Sequence, residues 1–117
     1  MKLSEVKEIL SADLISGDDN LDVEVLGGAA SDLMSDLLRK SKEGAVLLTG
    51  LTSIQAINTA VIGGVAAIVF VRGKKPDKAV ISHAKKHKIP ILSTPFNMFL
   101  SCGKLYAKGL KSIQWLP

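Results

Sequence analysis

Four short polar stretches carry the side chains most able to take part in chemistry: residues 28–32, 49–53, 72–75 and 93–95. Gly28, Ser31 and Asp32 lie in the first, and Thr49, Gly50, Thr52 and Ser53 in the second. Arg72, with Lys74 and Lys75, forms the third, and Ser93 and Thr94 the fourth. Three of the stretches end at a Ser, Thr or Asp that suits a helix start. Such a start leaves backbone N–H groups without partners and carries the positive end of the helix dipole, so it attracts anions. With Arg72 and the two lysines nearby, the chemistry implied is the binding of a phosphate or carboxylate. The same hydroxyls have a plainer use as helix caps. Thr52 with Gln55 three residues on reads as a capping box, and Thr94 followed by Pro95 reads as a cap and a first helical residue.

No residue emerges as catalytic. His83 and His87 stand four apart, a spacing that can hold zinc, but Ala84 occupies the place of the Glu in H-E-x-x-H and no third ligand is near. They read as ordinary helix histidines, and no metal is assigned. Cys102 sits among apolar residues with no activating base, which suits a core or interface thiol. Asp32 and Asp36 lie one turn apart, and Asp32 is better placed to favour a helix start than to move a proton. The glycines form neither G-x-x-x-x-G-K-[ST] nor G-x-G-x-x-G, which excludes a P-loop and a dinucleotide fingerprint, and no cofactor is implied. Asn58 is an unexpected polar residue in a helix and points to a ligand, a partner subunit or solvent.

The elements that position these residues are organised around residues 45–68. The apolar run at 45–50 reads as a strand covered on both faces. Ile54, Ile57, Ala60 and Val61 recur at helical spacing, Gly63-Gly64 ends that helix, and residues 65–71 form a second buried strand. The pair makes a right-handed βαβ unit. Ahead of it the pattern gives a helix at 3–10 with Ser4 as N-cap, brief strands at 12–16 and 21–25, and a turn at 17–20. A helix at 33–40 follows, capped by Ser31 or Asp32 and burying Leu33, Leu37 and Leu38. After the unit come a helix from Asp77 to His87, a strand at 89–92, a helix begun at Thr94 and a final strand at 112–115. The last helix is apolar on two faces, Phe96, Phe99, Leu100, Gly103 and Ala107 on one and Met98, Cys102 and Leu105 on the other. A helix with two such faces needs two covers, supplied either by the tail at 110–117 or by a second copy, so Met98, Cys102 and Leu105 are candidates for a homodimer interface, and Asn58 joins them on its own account. The alternation predicts an α/β fold: one three-layer domain over residues 1–117, with a mostly parallel sheet and helices on both faces. In such sheets ligands gather beyond the C-terminal ends of the strands, where all four polar stretches arrive.

The 117 residues are 47% hydrophobic but only 4% aromatic, so the core is aliphatic. A single cysteine excludes an internal disulfide. The N-terminus carries acids and does not read as a signal peptide, and the longest uncharged run, 60–71, is too short for a bilayer. A cytoplasmic protein with no membrane partner is expected. Residues 1–60 hold 5 Lys and Arg against 10 Asp and Glu, while residues 61–117 hold 10 against 1. Such asymmetry suits nucleic acid or self-association. No aromatic or glycine residues interleave the basic ones as in single-strand binders, so solvated helix faces explain them better and nucleic acid stays an alternative.

The stretches LDVEVLGGAASDLMSDLL, KEGAVLLTGLTSIQAINTAVIGGVAAIVFVRGKKPD and HAKKHKIPILSTPFNMFLSCGKLY, with the opening helix at 2–10, resemble the DRTGG domain family. That family is similar to the N-terminal domain of HPr kinase/phosphorylase and occurs beside phosphotransacetylases and CBS domains. The literal Asp-Arg-Thr-Gly-Gly string is absent, and the nearest piece is Leu48-Thr49-Gly50. The resemblance implies a regulatory or ligand-sensing module that commonly self-associates and is not an enzyme. The expected function is therefore binding of a small anionic metabolite or nucleotide, or of a partner protein, by a homodimer. A nucleic-acid binder and an uncharacterised enzyme using Asp32, Thr52 or Asn58 are the alternatives.

Overall fold

The computed structural model describes residues 1–113. Five strands, β1 (Asp13–Ser16), β2 (Gly27–Ala30), β3 (Ala45–Thr49), β4 (Ala67–Phe70) and β5 (Ile91–Ser93), form one sheet in the order β1-β5-β4-β3-β2. Strands β2 to β5 run parallel, and β1 joins β5 antiparallel at the edge. The helices are α1 (Leu3–Ile9), α2 (Met34–Lys40), α3 (Ile54–Gly63), α4 (Lys78–Lys86) and α5 (Met98–Ala107). This is the expected α/β architecture.

Burial from both sides accounts for the continuous apolar strands, because successive side chains of a strand point to opposite faces. Leu47, Ile68, Phe70 and Ile91 meet Leu37, Ile57, Ala60 and Val80 from α2, α3 and α4. Val46, Leu48, Val69 and Leu92 meet Leu3 and Val6 of α1 and Leu105 of α5 on the other side. Gly64, at φ +75°, closes α3 in the left-handed conformation that glycine tolerates.

Several elements lie elsewhere than the pattern suggested. The alternating residues 21–25 make only a bridge between Lys2 and Glu24, and the sheet strand is Gly27–Ala30. Residues 21–25 spend their hydrogen bonds on the chain start: Leu3 N–H donates to Val23 O and Val25 N–H to Met1 O. Glycine suits the true strand because the returning chain lies against it. A Cβ on Gly27 would stand 2.9 Å from Cα of Ile113, and Gly28 N–H donates to Lys111 O at 2.8 Å. Ser4 is not a cap: α1 starts after Lys2, and Ser4 N–H is taken by Leu21 O. In α2 only Leu37 is buried, while Leu33 and Leu38 are 62% and 67% exposed, since one turn-to-turn stripe is all this short helix lays on the sheet. Ser53 rather than Thr52 caps α3, its Oγ accepting Ala56 N–H at 3.2 Å. Helix α5 begins four residues after Thr94, with Asn97 as its cap accepting Leu100 N–H at 2.8 Å. The final strand expected at 112–115 lies partly outside the described residues, and within them Ser112 bridges to Gly28.

Candidate functional site

Strands β2 to β5 end on one edge, and the loops that follow them are knitted together there. Thr49 is fully buried at the end of β3, and its Oγ1 accepts Leu51 N–H at 3.1 Å, which shapes the passage through Thr52 and Ser53 into α3. Beyond β4, Arg72 N–H donates to Phe96 O at 2.8 Å and Gly73 N–H to Thr94 O at 2.7 Å. The buried Ser93 donates its hydroxyl to Lys74 O at 2.7 Å, fixing the same loop from β5. Asp77 then caps α4 by accepting Val80 N–H at 3.1 Å. The starts of α3 and α4 consequently face a shared cleft of about 600 Å³, whose walls include Gly50, Thr52, Ser53, Ile54, Lys74 and Asp77.

At the Gly50 end of this cleft Asp32 bridges three loops. Its Oδ1 accepts Gly50 N–H at 2.6 Å and its Oδ2 accepts from Arg72 Nη1 at 3.1 Å. Partial burial pushes the carboxyl up, but the Gly50 N–H, the Arg72 guanidinium and the charge of Lys74 outweigh it and hold Asp32 below the ordinary carboxylate range. Gly50 has no room for a side chain: a Cβ would stand 3.0 Å from Asp32 Oδ1 and nearer still to Arg72 Nη2. Arg72 has φ +60°, a left-handed conformation that costs a non-glycine residue energy and here aims its side chain back across β3.

Of the other residues singled out from sequence, Ser31 is buried, accepts Leu33 N–H at 3.1 Å and donates to Asp36 Oδ2 at 3.0 Å. Asp36, also bonded by Arg39 at 2.9 Å, has its carboxyl lowered by Arg39 and Ser31. Thr94 does not cap a helix. Its hydroxyl donates to Leu10 O at 2.6 Å and accepts Phe96 N–H at 3.3 Å, locking β5 to the end of α1. Gly28 lies within β2, away from the cleft, beside a hollow of about 200 Å³ that Leu48, Cys102, Leu105 and Tyr106 help to line. Asn58 faces solvent and its Oδ1 meets His83 Nε2 at 2.6 Å, with the His87 ring packed edge-on against His83. Among the described residues no three His, Cys, Asp or Glu side chains are grouped to hold a metal. Leu105 is buried in the chain's own core, and Met98 and Cys102 pack partly against it. Burial raises the Cys102 thiol above its ordinary range, with Lys40 opposing. The uncovered face of α5 is Phe99, 89% exposed, with Leu100 and Tyr106.

Sequence reasoning had Asp77 only as a cap, yet it also walls the cleft. Its place as the cap of the helix that follows a parallel strand was the available signal, since every such cap falls on the same edge. The hollow beside β2 was missed as well, although three small residues in a row, Gly28-Ala29-Ala30, forecast thin packing there.

The family model of the DRTGG domain matches residues 5–106. The chain belongs to the DRTGG domain family. Among solved structures this DRTGG chain is similar to the CBS and DRTGG domains of the regulatory region of Clostridium perfringens pyrophosphatase, complexed with its activator diadenosine tetraphosphate. The TM-score is 0.74 at 19% identity, covering 89% of this chain. The likeness is one of fold, and it spans 45% of that chain, less than half its length. No curated protein matches the DRTGG chain. Among the described residues no helix is long and apolar enough to cross a membrane.

Proposed function

We propose that this DRTGG domain is a non-catalytic regulatory module that binds a small anionic metabolite or nucleotide in the cleft between α3 and α4. The observation that carries the reading is the meeting of two capped helix starts, Lys74 and the Asp32–Arg72 pair at one end of a parallel sheet. Unpaired N–H groups and cations offer an anion its hydrogen bonds there. Ser53 Oγ and Asp77 Oδ1 are both engaged in capping, which leaves them holding helices rather than attacking a substrate. The similar pyrophosphatase regulatory region is complexed with a nucleotide activator, which supports a nucleotide as the first class to test. Self-association belongs to the same reading, with the uncovered Phe99, Leu100 and Tyr106 face of α5 as its motive.

Thermal unfolding with a panel of nucleotides, dinucleoside polyphosphates, acyl and sugar phosphates and CoA compounds tests it. A ligand at about a hundred times its Kd stabilises by about 2.7 kcal/mol, a rise of about 10 °C for a chain of this size. Lys74→Ala lowers that rise. A flat panel refutes a metabolite-binding role, and light scattering that gives one monomer mass at all concentrations refutes the dimer.

A further inference from the structure

We infer that the Asp32 carboxylate occupies, in the ligand-free protein, the seat that a phosphoryl oxyanion of the ligand takes, so that the two compete for Gly50 N–H and Arg72. The inference rests on the anion-binding reading of the cleft and adds to it the ligand's chemical class, a phosphate ester or polyphosphate, and the residue that gates it.

The donors around Asp32 are those a phosphate uses. One backbone N–H lies at 2.6 Å and one guanidinium nitrogen at 3.1 Å, with Lys74 close enough to lower the carboxyl further. Gly50 is shared: it holds Asp32 and it lines the cleft, so its N–H marks where the cleft meets the ion pair.

Charge accounting favours exchange over simple addition. Arg72 is paired with Asp32, and Lys74 shares the cleft wall with Asp77, so two cations are matched by two acids and a phosphoryl group gains little until one acid leaves. Asp77 cannot leave without uncapping α4. Asp32 caps nothing, because α2 starts after Leu33 with no side-chain cap, and the Asp32 and Arg72 side chains are 41% and 42% exposed. Arg72 stays behind when Asp32 goes, since the backbone bonds of Arg72 and Gly73 to Phe96 and Thr94 fix its loop whether or not Asp32 is paired. Displacement of Asp32 leaves the start of α2 in place, since Ser31 stays bonded to Leu48 O, Leu33 N–H and Asp36, so the exchange moves a side chain and not a helix.

Titration calorimetry with ATP and with inorganic tripolyphosphate tests the exchange on the wild type, Asp32→Ala, Asp32→Asn, Asp36→Asn and Arg72→Gln. If Asp32 fills the seat nine-tenths of the time, emptying it with Asp32→Ala tightens binding about tenfold. Asp32→Asn, which keeps an acceptor for Gly50 but loses the charge, falls between that and the wild type. Asp36→Asn makes the same charge change outside the site and leaves the affinity near the wild-type value, while Arg72→Gln weakens it. Binding seen only in the Asp32 variants also supports the exchange. A wild type that binds while Asp32→Ala binds equally or more weakly overturns the exchange and leaves the anion-binding reading standing. An equal gain in Asp36→Asn overturns it as a general charge effect. Absence of binding in all five chains overturns both.

Discussion

Thr94→Val separates what the β5 loop does for the fold from what it does for a ligand. The hydroxyl donates to Leu10 O at 2.6 Å in a buried setting and accepts Phe96 N–H at 3.3 Å, and Thr94 itself is fully buried. Valine keeps the shape, removes the donor and leaves the Leu10 carbonyl facing a methyl group. An orphaned buried acceptor costs about 1–3 kcal/mol, and the longer Phe96 bond adds about 0.5 kcal/mol. A net loss of about 2 kcal/mol follows once the apolar gain of the methyl is set against it. Unfolding entropy for 117 residues is about 0.25 kcal/mol/K, so the Tm falls by about 8 °C. Thr52→Val, at the half-exposed lip of the cleft, moves the Tm by less than about 2 °C, as surface changes do. Differential scanning fluorimetry and urea unfolding of both variants make the comparison. A Thr94→Val protein as stable as the wild type would refute the structural role assigned to that hydroxyl.

Four further outcomes are expected. Gly63→Ala destabilises by about 1–3 kcal/mol although alanine is the better helix former, because its Cβ would press to 2.6 Å from the carbonyl carbon of Ser41; urea unfolding that shows a gain in stability contradicts this contact. Gly50→Ala keeps the fold but drives Arg72 from Asp32, so the ligand-induced Tm shift changes while the far-ultraviolet circular dichroism does not; an unchanged shift counts against the cleft's Gly50 end. The lowered carboxyls of Asp32 and Asp36 contribute stability that is fully present above their ordinary value of about 4 and fades as pH falls through their lowered values. Tm measured from about pH 6 to about pH 2 therefore falls less steeply for Asp32→Asn, and parallel curves would remove Asp32 from the account. Cys102, half buried with its thiol raised, reacts with Ellman's reagent more slowly in the folded chain than in urea, and equal rates would contradict its burial.

Periodicity made the centre of this fold legible. The strands and helix of residues 45–71 read correctly because an unbroken apolar run, a helical stripe and a glycine pair each point to the same local structure, although Ser53 and not Thr52 caps the helix and Ile54 of the stripe is exposed. Residues 21–30 misled because the alternation at 21–25 reports one buried side chain, Val25, and not a ladder, while the strand consists of glycine and alanine, which carry no apolar pattern. What fixed that strand was the tail lying on Gly27 and Gly28, a contact made across more than eighty residues and invisible to any local window. The four loops at the sheet edge followed from topology alone. The pairing of Asp32 with Arg72 across β3 did not, because it depends on the left-handed backbone at Arg72, which arginine seldom adopts. Thr94 followed by Pro95 looked like a helix start by composition, and the buried Leu10 carbonyl claimed its hydroxyl instead.

The antiparallel edge strand sets an order of assembly. Strand β1 precedes the other strands in the chain, yet its sheet neighbour is β5, and the Leu10 carbonyl pairs with Thr94, 84 positions on. The β3-α3-β4 unit can close through a short crossover, whereas residues 1–4 meet the nearby residues 21–25 but β1 finds its sheet partner only in the distant β5. Non-local pairing of this kind slows folding and leaves apolar side chains such as Leu3 and Val6 uncovered until the sheet has formed. The docking of β1 on β5 is the long-range step, and a delay there is felt as aggregation before it is felt as lost stability.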